Sequence, residues 1–290
     1  MFQFFANIFG YLLNFLNNFV GNYGWAIIIF TIVIKLIMLP LSIKQQKTMK
    51  KSAKLQEKMK VLQFKYKNDP EKLNKEMMDL YKQENMSPFS GCLSAIAQFI
   101  LLISIFYMVR FPLTYMEKID KTQLESYVQQ MKNDGMAVSQ AYSEIDIIRE
   151  IDYLKEKFPE DEILEKINFN MDFLGLDLGK IPQQNLNDWT VYIIPILYII
   201  STFISMRITT SMQNKTKKKD EVIDISDNKE EEKNEMEDAM AQSNKMMSWM
   251  MPIMSVSISL VAPLGLALYW LVNNILMIGE RLILDKVIKD

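Results

Sequence analysis

One lysine inside a long apolar run constrains the fold of this chain more than any other feature. Residues 25–41 are apolar apart from Thr31 and Lys35, as in a helix that crosses a membrane. At 1.5 Å per residue, Lys35 lies about 15 Å along such a helix from Trp25, near the middle of a hydrocarbon core. A lysine there costs about 2.5–3.5 kcal/mol. The sequence therefore predicts a hydrated cavity around Lys35. The alternative is a lysine that reaches the interface or pairs with a carboxylate.

The composition argues against catalysis and against metal binding. The 290 residues include no histidine, which is the commonest metal ligand and general base. Cys92 is the single cysteine, which excludes an internal disulfide. No glycine-rich phosphate loop, nucleophile elbow or metal-ligand spacing occurs in the sequence. We therefore predict that the chain is not an enzyme and has no catalytic residues, no cofactor and no metal.

Apolar and charged stretches alternate along the chain, which predicts an all-α polytopic membrane protein with five transmembrane helices. The predicted parts are an interfacial amphipathic helix at 1–21, transmembrane helix 1 at 22–43, a cytoplasmic basic helical hairpin at 44–88, transmembrane helix 2 at 89–110, an extracytoplasmic acidic segment at 111–188, transmembrane helix 3 at 189–210, a cytoplasmic charged linker at 211–244, transmembrane helices 4 and 5 at 245–284, and a cytoplasmic tail at 285–290.

The N-terminal 21 residues carry no charge and have a polar stripe. Gln3, Asn7, Asn14 and Asn18 fall on one helical face, and aromatic and aliphatic residues fill much of the remainder. Such a helix is typical of a segment that lies along the membrane surface. A first, poorly defined transmembrane helix is an equally open alternative.

The basic hairpin sets the predicted orientation. Residues 44–86 contain 12 lysines and 6 acidic residues, a net charge of +6, and the richness in lysine predicts a cytoplasmic location. The start of its second helix is predicted at residues 69–71. Asp69 can cap the helix, Pro70 suits its first position, and the negative charge of Glu71 interacts favourably with the helix dipole. Five transmembrane helices then put the N-terminus outside and the C-terminus inside. A solvated charged face that binds no partner is the alternative for this hairpin.

Polar residues of three predicted transmembrane helices fall near the depth of Lys35. Gln98, Asn273 and Asn274 each lie about 12–15 Å from the end of their helix. Thr31 lies one turn from Lys35, on the same face. We predict a hydrated, positively charged groove in the inner half of the bilayer, although each amide could instead bind a neighbouring helix. The predicted groove residues are Lys35, Thr31, Gln98, Tyr269, Trp270, Asn273 and Asn274.

Several motifs, taken together and in this order, resemble a known family. They are 22–28 (NYGWAII), 35–46 (KLIMLPLSIKQQ), 65–73 (KYKNDPEKL), 80–82 (LYK), 87–93 (SPFSGCL), Gln98, 251–254 (MPIM) and 262–274 (APLGLALYWLVNN). The family is that of the YidC/Oxa1/Alb3 membrane protein insertases, in their short, Gram-positive type. The resemblance covers about 1–110 and 189–284. Lys35 stands where the family typically has arginine. The positive charge is therefore kept, but the planar guanidinium group, which can form two parallel hydrogen bonds, is lost.

The resemblance implies a five-helix insertase core with a groove that receives the polar part of a nascent membrane protein. It implies a location in the bacterial cell membrane, in contact with the lipid bilayer. It also implies that the protein acts on nascent membrane proteins alone or together with the ribosome and the Sec translocon. It implies no recognition of nucleic-acid sequence. The rival function is a small-solute transporter in which Lys35 is the binding charge. Such a transporter predicts internal repeats and broken helices, and the sequence shows neither.

Overall fold

The computed structural model describes residues 2–66, 69–84, 90–219 and 256–287, most of which are helical. Residues 256–261 are also helical. The helices are α1 (Phe2–Val20), α2 (Tyr23–Lys65), α3 (Pro70–Gln83), α4 (Ser90–Arg110), α5 (Pro112–Tyr115), α6 (Lys121–Asn133), α7 (Ser143–Arg149), α8 (Ile151–Lys157), α9 (Glu162–Lys166), α10 (Ile193–Lys219) and α11 (Leu264–Val287), with 3-10 turns at Pro182–Gln184 and Trp189–Tyr192.

The predicted fold class, an all-α polytopic membrane protein, is confirmed. Among the described residues, three stretches are long and apolar enough to cross a membrane, namely Tyr23–Thr48, Trp189–Ser211 and Leu264–Val287. A shorter apolar stretch, Gln98–Arg110, belongs to α4. Most of the predicted charged linker and the first part of predicted transmembrane helix 4 lie outside the described residues, so the count of five stays a prediction.

The chain divides into two compact units. The first unit comprises Met1–Ile37, Gln98–Ser201 and Val256–Leu276, and the second comprises Met38–Ala97, Thr202–Ser255 and Met277–Asp290. All seven predicted groove residues belong to the first unit. The predicted basic hairpin at 44–88 belongs entirely to the second.

The first predicted transmembrane helix and the first hairpin helix form one continuous helix, α2, of 43 residues. The change from apolar to lysine-rich sequence near residue 44 is a change of environment, without a break in the backbone. Lysine, glutamine, glutamate and leucine all favour helix, so nothing after Pro40 ends the helix before Lys65. A lone proline is tolerated inside membrane helices.

The second helix of the hairpin begins as the sequence predicts. The Asp69 side chain accepts a hydrogen bond from the Lys72 amide at 3.0 Å, and Pro70 is the first helical residue. In the same unit, the Lys58 ammonium on α2 donates to the Glu84 carboxylate just after α3. This hydrogen bond holds the pKa of Glu84 below its usual value. The contact joins the body of α2 to the far end of α3, as an antiparallel hairpin requires.

Residues 111–188 form a folded segment that holds α1. The Asn14 side-chain amide donates to the Met116 backbone carbonyl at 3.1 Å, and the Asn17 side-chain amide donates to the Asn168 backbone carbonyl at 3.3 Å. Gly10 lies so close to α5 that a Cβ atom there would stand 2.0 Å from the Tyr115 carbonyl oxygen. The opposite face of α1 is apolar and exposed, and carries Phe4, Ile8, Tyr11, Phe15 and Phe19.

A buried carboxylate braces the interior of this segment. Glu144 on α7 accepts hydrogen bonds from the Thr114 amide at 3.0 Å and from the Thr114 hydroxyl at 2.6 Å. Burial raises the pKa of Glu144, because the surrounding protein solvates its charge less well than water does. The two hydrogen bonds satisfy the carboxylate and connect α7 to α5.

The same segment binds the first turns of two membrane helices. The Tyr23 amide of α2 donates to the Asn170 carbonyl at 3.0 Å, and the Leu264 amide of α11 donates to the Lys180 carbonyl at 2.9 Å. The Gly265 amide donates to the Leu178 carbonyl at 2.8 Å. First-turn amides have no acceptor within their own helix, so these carbonyls complete the two helix starts.

Two further helices end or begin at the segment. The Arg110 guanidinium at the end of α4 donates to the Ala141 carbonyl at 2.6 Å. Asp188 accepts from the Thr190 amide at 3.0 Å and from the Lys180 ammonium at 2.8 Å, just before α10. These donors lower the pKa of Asp188 to about 2. Helices α2, α10 and α11 therefore start at the segment and α4 finishes there, so α4 runs opposite to the other three.

One element of the segment departs from the sequence prediction. The sequence predicts an all-α protein, but this segment also contains a short β-hairpin of strands β1 (Asp172–Phe173) and β2 (Leu176–Asp177). Its two loop residues, Leu174 and Gly175, both have positive φ angles, of 54° and 78°. Such turns favour Asn-Gly or Asp-Gly, and the leucine at the first loop position hides the usual hairpin signal.

We expect Gly10→Ala to destabilise the first unit by about 1–3 kcal/mol, because the new methyl group overlaps the Tyr115 carbonyl. The free energy of unfolding in detergent micelles, followed by circular dichroism, measures the change. Gly279→Ala is the matched control, since a Cβ atom at this helical glycine meets nothing within 4 Å. Equal effects of the two substitutions would contradict the close packing of α1 on α5.

Candidate functional site

Lys35 lies on α2, twelve residues after Tyr23, and its side chain is half-buried. At 1.5 Å per residue this is about 18 Å along the helix from the end that the 111–188 segment binds. Thr31, one turn earlier, is buried, and its hydroxyl donates to the Ile27 carbonyl at 2.6 Å. That hydrogen bond keeps the Thr31 hydroxyl on its own helix, and its oxygen can still accept a bond from another group.

Gln98 lies on α4, twelve residues before Arg110, and its side chain is exposed. Its distance from the segment, again about 18 Å along the helix, equals that of Lys35. Because Arg110 is the end of α4 that meets the segment, the two positions are measured from the same side. The positions of Lys35 and Gln98 along their helices can therefore be compared, because both are measured from the 111–188 segment.

Asn274 is buried in the first unit and contacts α10. Its side-chain amide donates to the Ser201 hydroxyl oxygen at 3.0 Å, and that hydroxyl donates to the Tyr198 carbonyl at 2.7 Å. Asn274 lies ten residues after Leu264, or about 15 Å along α11 from the segment. Asn273 beside it is half-buried. The structure thus brings Asn274 together with a serine of another membrane helix.

The two predicted aromatic groove residues have different surroundings. Tyr269 is buried, whereas Trp270 is half-buried. The Trp270 ring lies 5.8 Å from the ring of Tyr198 on α10, in a tilted arrangement. Of this pair, Trp270 has the exposed surface that contact with another molecule needs.

The sequence prediction omitted the residues that α10 contributes, Ser201 and Tyr198. A signal for Ser201 exists in the sequence, because a hydroxyl inside an apolar run needs a hydrogen-bond partner within the membrane. For Tyr198 no such signal exists, because aromatic residues in a membrane helix usually pack against neighbours. Both contact α11, whose Asn274 and Trp270 the sequence does single out.

The side chains of these residues can form hydrogen bonds and ion pairs with polar groups of another molecule. Amides and hydroxyls donate and accept hydrogen bonds, and Lys35 supplies a positive charge. Within the described residues, no group of three histidine, cysteine, aspartate or glutamate side chains could hold a metal ion.

Comparison with known proteins assigns the chain to a family. A sequence model of the 60Kd inner membrane protein family, the YidC/Oxa1 family, matches residues 15–290. The chain belongs to this family. The match runs through the 111–188 segment, which the motifs recognised in the sequence do not cover.

Individual relatives agree with the family match. The membrane protein insertase YidC of Chlorobaculum parvum is 28% identical over 279 residues, which cover 96% of this chain and 35% of the relative. The YidC of Caldanaerobacter subterraneus subsp. tengcongensis is 45% identical over 101 residues, or 35% of this chain and 49% of the relative. The chain spans about a third of the length of the Chlorobaculum protein. The resemblance to the YidC/Oxa1/Alb3 insertases is confirmed.

We expect the Asn274–Ser201 hydrogen bond to contribute about 0.6 kcal/mol, and at most about 1.7 kcal/mol, as in other membrane helix pairs. A double-mutant cycle with Asn274→Ala and Ser201→Ala measures this coupling as the part of the unfolding free energy that is not additive. Asn273→Ala combined with Ser201→Ala is the matched control on the same helix. Additivity in both cycles would exclude a direct bond between Asn274 and Ser201.

Proposed function

We propose that this chain is a membrane protein insertase of the bacterial cell membrane that helps nascent integral membrane proteins to insert and fold. Membership of the YidC/Oxa1 family supports this function, as do relatives named membrane protein insertase YidC. The observation that carries the mechanism is the common depth of three polar positions. Lys35, Gln98 and Asn274 lie about 15–18 Å along helices that all meet the 111–188 segment.

The mechanism follows from the cost of moving polar groups through hydrocarbon. A hydrophilic polypeptide that crosses about 30 Å of acyl chains loses its hydration along the whole path. A hydrated groove that ends halfway shortens the dehydrated path. The charge of Lys35 attracts acidic residues of the substrate, and low-dielectric walls screen that attraction weakly. Gln98 and Asn273 add hydrogen-bonding groups, and the half-buried Trp270 flanks the substrate, whereas Thr31 and Tyr269 lie buried behind them.

The orientation of the protein follows from its charge. The 12 lysines of residues 44–86 support a cytoplasmic hairpin, with α3 beside the lysine-rich half of α2. The N-terminus and the 111–188 segment then lie outside and the C-terminus inside. The hairpin is suited to contact the ribosome, and the insertase works alone or beside the Sec translocon.

The groove predicts unequal access of water to two neighbouring positions of α11. In a Cys92→Ser background, we expect Asn273→Cys to react with a charged thiol reagent added from the hairpin side. We expect Ile275→Cys, the exposed apolar control, to stay unmodified because hydrocarbon suppresses thiolate formation. The labelled fraction in oriented vesicles is the readout. Equal labelling of the two positions would remove the basis for a hydrated groove.

Complementation of a bacterium depleted of its own insertase tests the function. We expect wild type and Lys35→Arg to restore growth, and Lys35→Ala to restore it poorly, because the charge attracts acidic tails. Lys35→Glu should abolish insertion of substrates with acidic tails. Lys44→Ala, nine residues further along α2, is the control for loss of a lysine outside the apolar run. Protein levels are compared by immunoblot.

The possible outcomes separate the two parts of the proposal. Rescue by all variants keeps the insertase function and removes the role of Lys35. Failure of a well-expressed wild type contradicts the insertase function and favours the small-solute transporter.

A further inference from the structure

The tip of the β-hairpin presents an exposed leucine in a backbone conformation that leucine rarely adopts. Leu174 has a φ angle of 54° and its side chain is 77% exposed. Asparagine or glycine would adopt this conformation more easily and would be compatible with water. An unfavourable backbone angle at a surface apolar residue therefore suggests that the side chain has a binding role.

The hairpin is fixed to the start of α2. The Asn22 side-chain amide donates to the Asp172 backbone carbonyl at 2.6 Å, while the Asn22 side-chain oxygen accepts from the Gly24 backbone amide at 3.1 Å. The ring of Phe173 packs so closely on Gly24 that a Cβ atom there would lie 2.3 Å from it. The same ring lies 5.4 Å from the ring of Trp25. The tip is therefore held at the level where α2 enters the membrane.

The hairpin also adjoins the start of the α10 membrane stretch. Gly175 at the tip and Thr190 in the 3-10 turn before α10 line one cleft of about 450 Å³. The apolar stretch that includes α10 begins at Trp189. Leu174 thus sits beside the starts of two membrane-crossing helices, both on the same side of the membrane.

The exposed apolar side chains of the segment are concentrated at this level. Every residue of 111–188 is described, and the only exposed large apolar side chains among them are Leu174 and Leu186. Leu186 is 68% exposed and precedes Trp189, which is 73% exposed. Tryptophan is enriched at membrane interfaces because its ring is apolar and its N–H is polar. Most of the other exposed residues of the segment are polar or charged.

Electrostatic attraction to lipid headgroups does not explain a membrane contact here. Residues 111–188 contain 16 acidic and 8 basic residues, a net charge of −8. The two cations that line the cleft already face carboxylates, with Lys180 2.8 Å from Asp188 and Arg149 3.8 Å from Asp177. Contact with a membrane must therefore come from burial of apolar side chains.

We propose that Leu174, Leu186 and Trp189 form a membrane-contact surface that seats the 111–188 segment on the bilayer. The leaflet is the one at which α2 and α10 begin, and the side chains enter the boundary between headgroups and acyl chains. The same segment binds the first turns of α2 and α11 through Asn170 and Lys180. Seating the segment therefore also fixes the depth of the helices that carry Lys35 and Asn274. The membrane contact does not depend on insertase activity.

Fluorescence quenching by lipids tests this surface. Leu174→Cys in the full chain, with Cys92→Ser, is labelled with an environment-sensitive nitrobenzoxadiazole dye and reconstituted into phosphatidylcholine–phosphatidylglycerol vesicles. A spin label is placed on the acyl chains near the headgroup. We expect a blue shift of the emission and strong quenching. Asn133→Cys, an exposed position at the end of α6, is the matched control and should show neither. Leu186→Cys provides a second, independent position.

Quenching at positions 174 and 186 without quenching at 133 supports the proposal. Equal, weak quenching at all three positions overturns it, because the tip then lies in water. A blue shift that needs high protein density in the membrane, without lipid quenching, also overturns it, because another copy of the chain then covers the surface. Far-ultraviolet circular dichroism of each labelled protein verifies the fold. If Leu174→Cys does not fold, the result at position 186 decides.

Discussion

The arrangement of the membrane helices depends on a few backbone hydrogen bonds at their ends. First-turn amides cannot bond within their own helix, and those of α2 and α11 find acceptors in Asn170, Leu178 and Lys180 of the 111–188 segment. The segment also receives the end of α4 and the cap of α10. Four helices that the sequence separates by long intervals thus each have one end at the same segment.

Within that frame, two ways of satisfying polar groups in a membrane occur side by side. Asn274 is buried and bonds to Ser201, and Thr31 is buried and bonds to its own helix, so each lowers its desolvation cost locally. Lys35, Gln98 and Asn273 remain partly or largely exposed. The first group holds helices and the second keeps exposed surface, which is the division that the proposed substrate groove requires.

The sequence predicted those features that depend on neighbouring residues. The Asp69 cap followed from a side chain that binds an amide three residues later, and the apolar stretches followed from composition. The polar face of α1 followed from helical spacing, but its partners did not. Asn14 of that face binds a backbone carbonyl more than 100 residues away, as does the buried Asn17 outside it, and no periodicity encodes that distance. The β-hairpin was missed because Leu174 occupies a turn position where asparagine or aspartate is usual.

The sequence by itself determined that this is a helical membrane protein, that Lys35 lies deep within an apolar run, and that its family is that of the YidC/Oxa1 insertases. The reason is that hydropathy, helical spacing and motif order are properties of contiguous residues. Only the tertiary structure decided that Asn274 binds Ser201, that 111–188 folds into one segment, and that this segment joins the ends of four helices. Those outcomes depend on which distant groups can satisfy each other's hydrogen bonds, and only the folded chain brings them together.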